Sequence, residues 1–356
     1  MIEFAFASER EKGTVVSTLG THTWHELCSQ PQAWQEALDT LHAHNDLTQH
    51  PAIRQATHVI WCGCGSPFYL ATSLQRMQHE HSTIPSYALP ASEIWCNPQG
   101  SIPGHGRPTL VLLSRSGRTT EVLKAAERFR EHAPNGHIIT ISCYGDRPLA
   151  QLGDINIVLP SGQEQSIAQT RAFTVLQMGG MWLLQHWAGR QFALDALPER
   201  AADLMQRHQQ ECLAYGANPD FQQFFFLGSG YRYGLACEAS LKMKEMSLST
   251  SEPFHHMEYR HGPQSMVTPQ TLILGLGSLR MHSQEQAVLA DMRALGGHTL
   301  SMGGHADHHM RWQLSDSDYY DGILALPLLQ SIAFARSTSR GLDPDNPHNL
   351  NAVVVL

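Results

Sequence analysis

The chain has 356 residues, of which 42% are hydrophobic and 16% are charged, a composition that excludes intrinsic disorder and supplies enough apolar surface for two domains. The formal net charge is −8 at pH 7, and the chain contains no basic run, which argues against nucleic acid and anionic membranes as partners. No apolar run approaches the length of about 18 residues that a membrane span requires.

The amino-terminal segment and the cysteines predict a cytoplasmic protein. The opening residues, MIEFAFASEREKG, contain an apolar patch without a preceding basic region, so they do not resemble a secretory signal peptide. The seven cysteines are odd in number and scattered along the chain. This pattern is typical of reduced thiols rather than of a disulfide framework.

Short apolar runs rich in β-branched residues alternate with helical stretches along most of the chain. Buried parallel strands are predicted at 58–63, 109–114, 137–142, 155–160, 224–230, 271–278, 298–304 and 322–327. A helix is predicted from Arg118, and a long helical stretch from Ala168 to about Tyr215 would connect the two series of strands. The alternation predicts an α/β fold made of open parallel sheets with helices on both faces.

Two glycine-containing turns indicate that the halves are duplicates. The segments GCGSPFYLA from Gly63 and GSGYRYGLA from Gly228 share two glycines, a leucine and an alanine at equal spacing, where a predicted strand gives way to a helix. Neither segment fits a dinucleotide-binding fingerprint, because Phe68 and Tyr233 replace its third glycine. The GxxxxGK[ST] motif of P-loop nucleotide-binding proteins is missing from the sequence as well.

The segment LLSRSGRTTEV (112–122) predicts a phosphate site. Ser114, Ser116 and Thr119 cluster where a buried strand gives way to a helix, so their hydroxyls and the free N–H groups of the helix end can hold a dianion. The alternative is a helix N-cap, for which one hydroxyl suffices. The corresponding segment of the second half, LGSLRMHSQEQ (276–286), lacks the S-x-S-G core, so we expect one phosphate site per chain.

Two further features leave alternatives open. Glu245 ends EASLKMKE in a predicted helix, and His261 precedes the Gly-Pro pair of MEYRHGPQS. These two residues could form a catalytic pair, or they could be a solvated glutamate and an ordinary loop histidine. The histidine-rich segment GGHADHHMRW (303–312) suggests a metal site, but a solvated polar loop explains it equally well and no second cluster has ligand spacing. We therefore predict no metal site.

Taken together, the motifs resemble the two-domain members of the sugar isomerase (SIS) family. Those members include the isomerase half of glucosamine-6-phosphate synthase, SIS-type glucosamine-6-phosphate deaminases and fructosamine-6-phosphate deglycases. The matching segments cover the chain from about residue 35 to the carboxyl terminus: GCGSPFYLA, LLSRSGRTTEVL, EQSIAQTRAFT (164–174), FLGSGYRYGLACEASLKMKE, SEPFHHMEYRHGP and RGLDPDNPHNL (340–350).

The resemblance implies a domain organisation. It predicts two tandem SIS domains, each a flavodoxin-like three-layer αβα sandwich. The expected segments are a leader at 1–34, a first SIS domain with the phosphate loop at 35–200, a second SIS domain with the catalytic residues at 201–345, and a carboxyl-terminal tail over the active site at 346–356. Because the chain starts with a short leader, we expect no amino-terminal glutaminase domain and no glutamine-dependent synthesis.

The resemblance also implies roles for individual residues. Glu245 matches the base that moves a proton between C1 and C2 of the sugar. His261 matches the histidine that opens and closes the sugar ring, which in relatives comes from the other subunit of a homodimer. The implied substrate-binding residues are Ser66, Ser114, Arg115 (where relatives usually have glutamine), Ser116, Thr119, Ile167 and Lys242. Pro67 stands where a hydroxyl residue often helps to bind the phosphate.

One departure from the family bears on the reaction. Ala352 stands where the family has the lysine that forms an imine with a ketose phosphate. The leading hypothesis is therefore an enzyme that deglycates or deaminates an amine-bearing sugar 6-phosphate without a metal or organic cofactor. The alternatives are a plain aldose–ketose phosphate isomerase and a catalytically silent sugar-phosphate-binding protein.

Overall fold

The computed structural model describes residues 19–44, 46–312 and 320–356. Residues 1–18 of the expected leader therefore lie outside the described residues. Within these ranges, no helix is both long enough and apolar enough to cross a membrane. All seven cysteines fall inside them and are free thiols.

The first half of the chain forms a parallel sheet of five strands. Its strands are β1 (His58–Gly63), β2 (Ser86–Pro90), β3 (Pro108–Ser114), β4 (His137–Ser142) and β5 (Ile155–Val158), in the order β2-β1-β3-β4-β5. Every residue of β1 and β3 is buried, as expected for central strands of a sheet that is covered on both faces.

The second half forms another parallel sheet. Its strands are β6 (Gln223–Gly228), β7 (Thr250–Phe254), β8 (Thr271–Leu276), β9 (His298–Gly303) and β10 (Met310–Arg311), in the order β10-β9-β8-β6-β7. Read from the other edge, the second strand of the series flanks the first, and the third, fourth and fifth follow. This is the strand order of the first sheet and of flavodoxin-like folds.

Twelve α-helices accompany the sheets in the part of the chain that the structure describes. They are α1 (Thr21–Cys28), α2 (Gln30–His42), α3 (Pro51–Arg54), α4 (Ser66–His81), α5 (Ala91–Cys96), α6 (Pro98–Ser101), α7 (Thr120–His132), α8 (Arg171–Ala188), α9 (Leu197–Ala217), α10 (Arg232–Ser247), α11 (His282–Ala294) and α12 (Leu326–Ser339).

One apolar core joins the two sheets. It includes alternate residues of both: Val59, Trp61, Val111, Leu113, Phe224, Phe226, Leu272 and Leu274. Since side chains alternate along a strand, the intervening residues face outward into two smaller clusters, one under α7 and one under α11. Both halves therefore pack against a shared helical layer, in agreement with the absence of a flexible linker in the sequence.

The two glycine turns have the same steric cause. A Cβ on Gly63 would lie 2.6 Å from the backbone of Pro67, and one on Gly228 would lie 2.3 Å from the backbone of Arg232. Both are residues of the helix that begins after the turn. The next glycine of each turn, Gly65 or Gly230, has φ near +60°, which favours glycine. The match seen in the sequence thus reflects equivalent turns in the two sheets.

Some predicted elements are wrong. Residues 322–327 form no strand: a 3₁₀ turn covers Asp321–Ala325 and α12 begins at Leu326, because a short apolar run fits a buried helix as well as a strand. The connection between the halves is two helices, α8 and α9, separated after the left-handed Gly189. The expected domain boundary at 200/201 stays a prediction; it lies within α9. Strands β2, β7 and β10 were not predicted.

Candidate active site

The predicted phosphate loop connects β3 to α7. The Ser114 hydroxyl accepts a hydrogen bond of 3.1 Å from the backbone N–H of Gly117, whose φ of +65° turns the loop. Ser116 Oγ lies 3.3 Å from Thr119 Oγ1. Thr119 occupies the N-cap position of α7, but its side chain makes no capping hydrogen bond. Capping therefore does not account for the cluster of hydroxyls.

Arg115 points away from the loop into the protein. Its guanidinium pairs with the buried carboxylate of Glu164 at 3.2 Å and donates to the carbonyl oxygens of Ser166, at 3.2 Å, and Ala352, at 3.0 Å. With these partners the side chain links the segment 164–166 to the carboxyl-terminal segment at Ala352 beside the phosphate loop. Its guanidinium is therefore already engaged by partners within the chain.

A small polar pocket lies against the loop. It is lined by Cys64, Pro67, Leu113, Ser114, Arg115, Ser116, Thr119, Val122, Gln169 and Ala352. The Gln169 side-chain oxygen is buried without a hydrogen-bond partner among the described residues, so it offers an acceptor to a ligand. Burial raises the pKa of the Cys64 thiol to about 12, so this cysteine stays protonated and is a poor nucleophile at neutral pH.

The carboxyl-terminal segment lies along one side of this pocket. The carbonyl of Val354 accepts a hydrogen bond of 3.3 Å from the N–H of Thr120, the first residue of α7. Ile167, one of the implied substrate-binding residues, donates its N–H to the carbonyl of Asp345 at 3.3 Å. The Asp345 carboxylate in turn accepts hydrogen bonds from the backbone and hydroxyl of Thr23 in α1. Ala352 is thereby held next to the phosphate loop.

Glu245 belongs to a buried charged cluster on α10. The ammonium of Lys242 forms ion pairs with the carboxylates of Glu245 and of Glu238, the latter at 3.4 Å, and donates a hydrogen bond of 3.1 Å to Ser66 Oγ. Only 1% of the Lys242 side chain and none of the Glu238 side chain is exposed, whereas Glu245 is 19% exposed. Glu245 is thus the one carboxylate of the cluster that is partly exposed to solvent.

Burial and mutual attraction set the ionisation of this cluster. Burial by itself lowers the pKa of Lys242, but the carboxylates of Glu238 and Glu245 outweigh it and raise that pKa above its usual value. Burial raises the pKa of Glu238, partly opposed by Lys242. Lys242 consequently remains a cation, and Glu238 takes up a proton far more readily than an exposed glutamate does.

The close approach of two helices brings the halves together at this cluster. A Cβ on Gly234 of α10 would lie 2.6 Å from backbone atoms of Tyr69 and Ser73 in α4. Because only glycine permits this packing, Ser66 at the start of α4 reaches Lys242 in the other half. The first glycine turn and the α10 cluster therefore meet, as the resemblance implies.

His261 lies in an exposed turn of the second half. It follows a 3₁₀ turn at Met257–Arg260, its side chain is exposed, and its N–H donates to the Glu258 carbonyl at 3.0 Å. In the described ranges, no hydrogen bond or ion pair joins its imidazole to another residue. The pairing of His261 with Glu245 therefore stays a prediction.

In the second sheet, a carboxylate of the chain itself occupies the position that corresponds to the phosphate loop. After β8, Ser278 donates its N–H at 2.7 Å and its hydroxyl at 3.2 Å to Glu285 Oε2, which belongs to α11. Glu285 is almost fully buried, and its other oxygen lies 3.6 Å from His256 Nδ1. Because the Glu285 carboxylate already binds the donors of Ser278, this turn is filled by an anion of the chain itself, which is consistent with the expected single phosphate site per chain.

Two residues of the site were missed in the sequence. Glu238 precedes Lys242 by one helical turn and Glu245 by two, and this spacing places all three on one face of a helix. Gln169 is part of EQSIAQTRAFT, but nothing in the sequence distinguishes its buried oxygen from that of an ordinary core glutamine. The sequence also did not indicate the burial of Lys242, which is nearly as complete as that of Met243.

Comparison with known proteins agrees with the resemblance seen in the sequence. Residues 52–184 match the model of the SIS domain. Glutamine–fructose-6-phosphate aminotransferases (isomerizing) are among the relatives of the chain. That of Methanothermobacter thermautotrophicus is 24% identical over 85% of this chain and 52% of its own length. That of Bacillus spizizenii is 25% identical over 97% of this chain and 59% of its own length. The chain thus spans about half the length of the relatives that it matches.

Solved structures with SIS-like folds cover nearly the whole chain. Glucosamine-6-phosphate deaminase from Thermotoga maritima matches 94% of this chain and 100% of its own, with a TM-score of 0.81 and 26% identity. Tagatose-6-phosphate ketose/aldose isomerase from Escherichia coli matches 92% of this chain and 95% of its own, with a TM-score of 0.82 and 20% identity. The resemblance to the SIS family is therefore confirmed.

Proposed function

We propose that the chain is a phosphosugar enzyme that releases the amine from an amine-bearing sugar 6-phosphate, as a deglycase or a deaminase. The observation that carries the proposal is the pocket beside the phosphate loop, which combines the hydroxyls of Ser114, Ser116 and Thr119 with Ala352. In the described part of the chain, no lysine lines this pocket. The amine that imine chemistry requires must then come with the substrate.

The architecture proposed for this function is a pair of tandem SIS domains. The equal strand orders and the equivalent glycine turns support a second SIS domain at 201–345, following the first at 35–200. In this arrangement the first domain supplies the phosphate loop and Ser66, and the second supplies α10. The tail at 346–356 closes the side of the pocket, through Ala352 and Val354.

The phosphate is held by the loop between β3 and α7. The hydroxyls of Ser114, Ser116 and Thr119 and the positive end of the helix stabilise a dianion there. Arg115 and Ile167 contribute through their backbones, because the Arg115 guanidinium is already bound to Glu164 and Ala352. The sugar then extends from the loop toward Ser66 and the charged cluster on α10.

The proposed reaction is a proton transfer followed by hydrolysis. Glu245 removes a proton from one of the two carbons, C1 or C2, and delivers it to the neighbouring carbon. This transfer leaves a C=N bond at the carbon that carries the nitrogen. Water adds to that carbon, the C–N bond breaks, and the departing amine takes up a proton from the added water. Lys242 holds the base in place by its ion pair and stabilises the negative charge that develops on the substrate oxygen.

A screen for released amine tests this function. Fructosamine 6-phosphate, glucosamine 6-phosphate and related aminated sugars are incubated with the protein, and free amine is measured by a coupled assay. We expect amine release from at least one phosphorylated compound. Interconversion of glucose 6-phosphate and fructose 6-phosphate without amine release would favour the plain isomerase instead.

We further propose a homodimer in which His261 serves the active site of the partner. Its exposed side chain supports this arrangement, as does the lack of any hydrogen bond or ion pair from its imidazole within the described part of the chain. If Glu245→Gln and His261→Ala chains are co-expressed, random pairing leaves one intact site in each mixed dimer, so roughly a quarter of the wild-type activity should return. Each variant expressed alone is the control.

The result of this mixing experiment separates two arrangements. In a site built from one chain, every site of the mixed dimer carries a defect and no activity returns. Mixed dimers that are as inactive as the single variants, or a monomer in light scattering at working concentration, would contradict the shared site.

A further inference from the structure

A cluster of potential metal ligands lies in the second half, apart from the cleft. His282 is the first residue of α11, and His305 and Asp307 lie in the turn that follows β9. One ligand atom of each residue lies within 4.8 Å of those of the other two. The carboxyl ends of β8 and β9 bring the three together at the edge of a parallel sheet where ligands bind in open α/β folds.

The distances in this cluster suit one small cation. Asp307 Oδ2 lies 3.6 Å from His282 Nε2 and 3.6 Å from His305 Nδ1. Around a tetrahedral zinc ion with bonds of about 2.0–2.1 Å, neighbouring ligand atoms lie about 3.3 Å apart. The two imidazole rings are now stacked, with their centroids 3.5 Å apart and their planes 18° from parallel, so binding of one ion by both nitrogens requires the rings to tilt out of this stack.

The donor set selects the class of ion. Two imidazole nitrogens and one carboxylate oxygen suit zinc and its first-row neighbours, whereas magnesium and calcium prefer oxygen ligands. We propose that His282, His305 and Asp307 bind a divalent first-row transition-metal ion, with zinc as the representative ion and water in the fourth position. None of the three belongs to the phosphate loop or to the α10 cluster, so the proposal is independent of the proposed function.

The position of the cluster indicates what such an ion does. It connects the turn after β9 to the first turn of α11, two segments that otherwise meet through the hydrogen bond between Gln286 and the buried His308, at 3.2 Å. Asp307 is 71% exposed, so the ion reaches its site directly from solvent. The bound ion stabilises this end of the second sheet by cross-linking the two segments.

Calorimetric titration of the tag-free chain with zinc chloride tests the proposal, with His305→Ala and Asp307→Asn as the test variants. His298→Ala is the matched control, because it removes an exposed histidine of β9 that is outside the cluster. We expect one zinc ion per wild-type and control chain, and binding about tenfold weaker or worse in either test variant. Circular dichroism verifies that the variants are folded.

Cobalt provides a second measurement, because a tetrahedral site gives it strong visible absorption. That absorption should appear in the wild-type and control chains and be lost in His305→Ala. Equal zinc affinity in all four proteins, or weak binding of several ions that falls equally with each histidine removed, would overturn the proposal.

Discussion

Replacing Glu245 by glutamine is expected to lower the turnover of the amine-releasing reaction by roughly 10²–10⁴-fold while KM changes little. Glutamine has the shape of glutamate and still offers an oxygen to Lys242, but it cannot take a proton from carbon. Because Lys242 keeps its ion pair with Glu238 at 3.4 Å, the buried cation does not lose its only counter-charge. The loss therefore falls on the chemical step.

The matched control for this variant is Glu252→Gln. Glu252 is an exposed glutamate of β7 in the same half of the chain, so its replacement makes the same chemical change away from the cleft. The control is expected to retain wild-type turnover. Equal turnover in Glu245→Gln and the wild-type chain would contradict the assignment of the base.

Replacing both Ser114 and Ser116 by alanine is expected to weaken binding of phosphorylated sugars by roughly 10²–10⁴-fold. A hydrogen bond to a charged group contributes about 1.5–3 kcal/mol, and two such contacts are lost. Non-phosphorylated analogues lack the dianion, so their affinity should change little. Titration calorimetry with a phosphorylated sugar and its non-phosphorylated counterpart measures the difference.

The single variant Ser116→Ala separates ligand binding from loop structure. Ser114 Oγ accepts the N–H of Gly117 and helps to shape the loop, whereas the Ser116 hydroxyl contacts chiefly that of Thr119. Ser116→Ala alone should therefore still weaken binding of the phosphorylated sugar more than binding of its non-phosphorylated counterpart. If the double variant weakens both ligands equally, the serines only shape the start of α7.

The sequence predicted the central strands and one edge strand, β5, and missed the other three edge strands for a physical reason. Strands β1 and β3 are buried on both faces, so their residues form continuous apolar runs. The missed strands β2, β7 and β10 are all sheet edges, which favour short, polar or proline-containing sequences. The SYALP of β2 and TSEPF of β7 have this character.

The candidate site was predictable where chemistry follows from local spacing. Three hydroxyls at the end of β3 predict a phosphate loop from the sequence alone. The burial of Lys242 does not follow from α10 itself, because it depends on the approach of α4 at Gly234.

The same limitation applies to the proposed metal site. The histidine-rich segment contains His305 and Asp307, but its third ligand, His282, comes from another element. Only the parallel arrangement of β8 and β9 places the two segments side by side. The sequence favoured a solvated loop because it showed no partner for the segment.

The central claim is that the substrate brings the nitrogen that Ala352 cannot provide. The most direct measurement compares two rates in the same preparation of wild-type protein: amine release from fructosamine 6-phosphate or glucosamine 6-phosphate, and isomerisation of fructose 6-phosphate. We predict a measurable kcat/KM for amine release from one of the aminated sugars, and this value should exceed the kcat/KM for isomerisation of fructose 6-phosphate. Efficient isomerisation of fructose 6-phosphate without amine release from either aminated sugar would contradict the account.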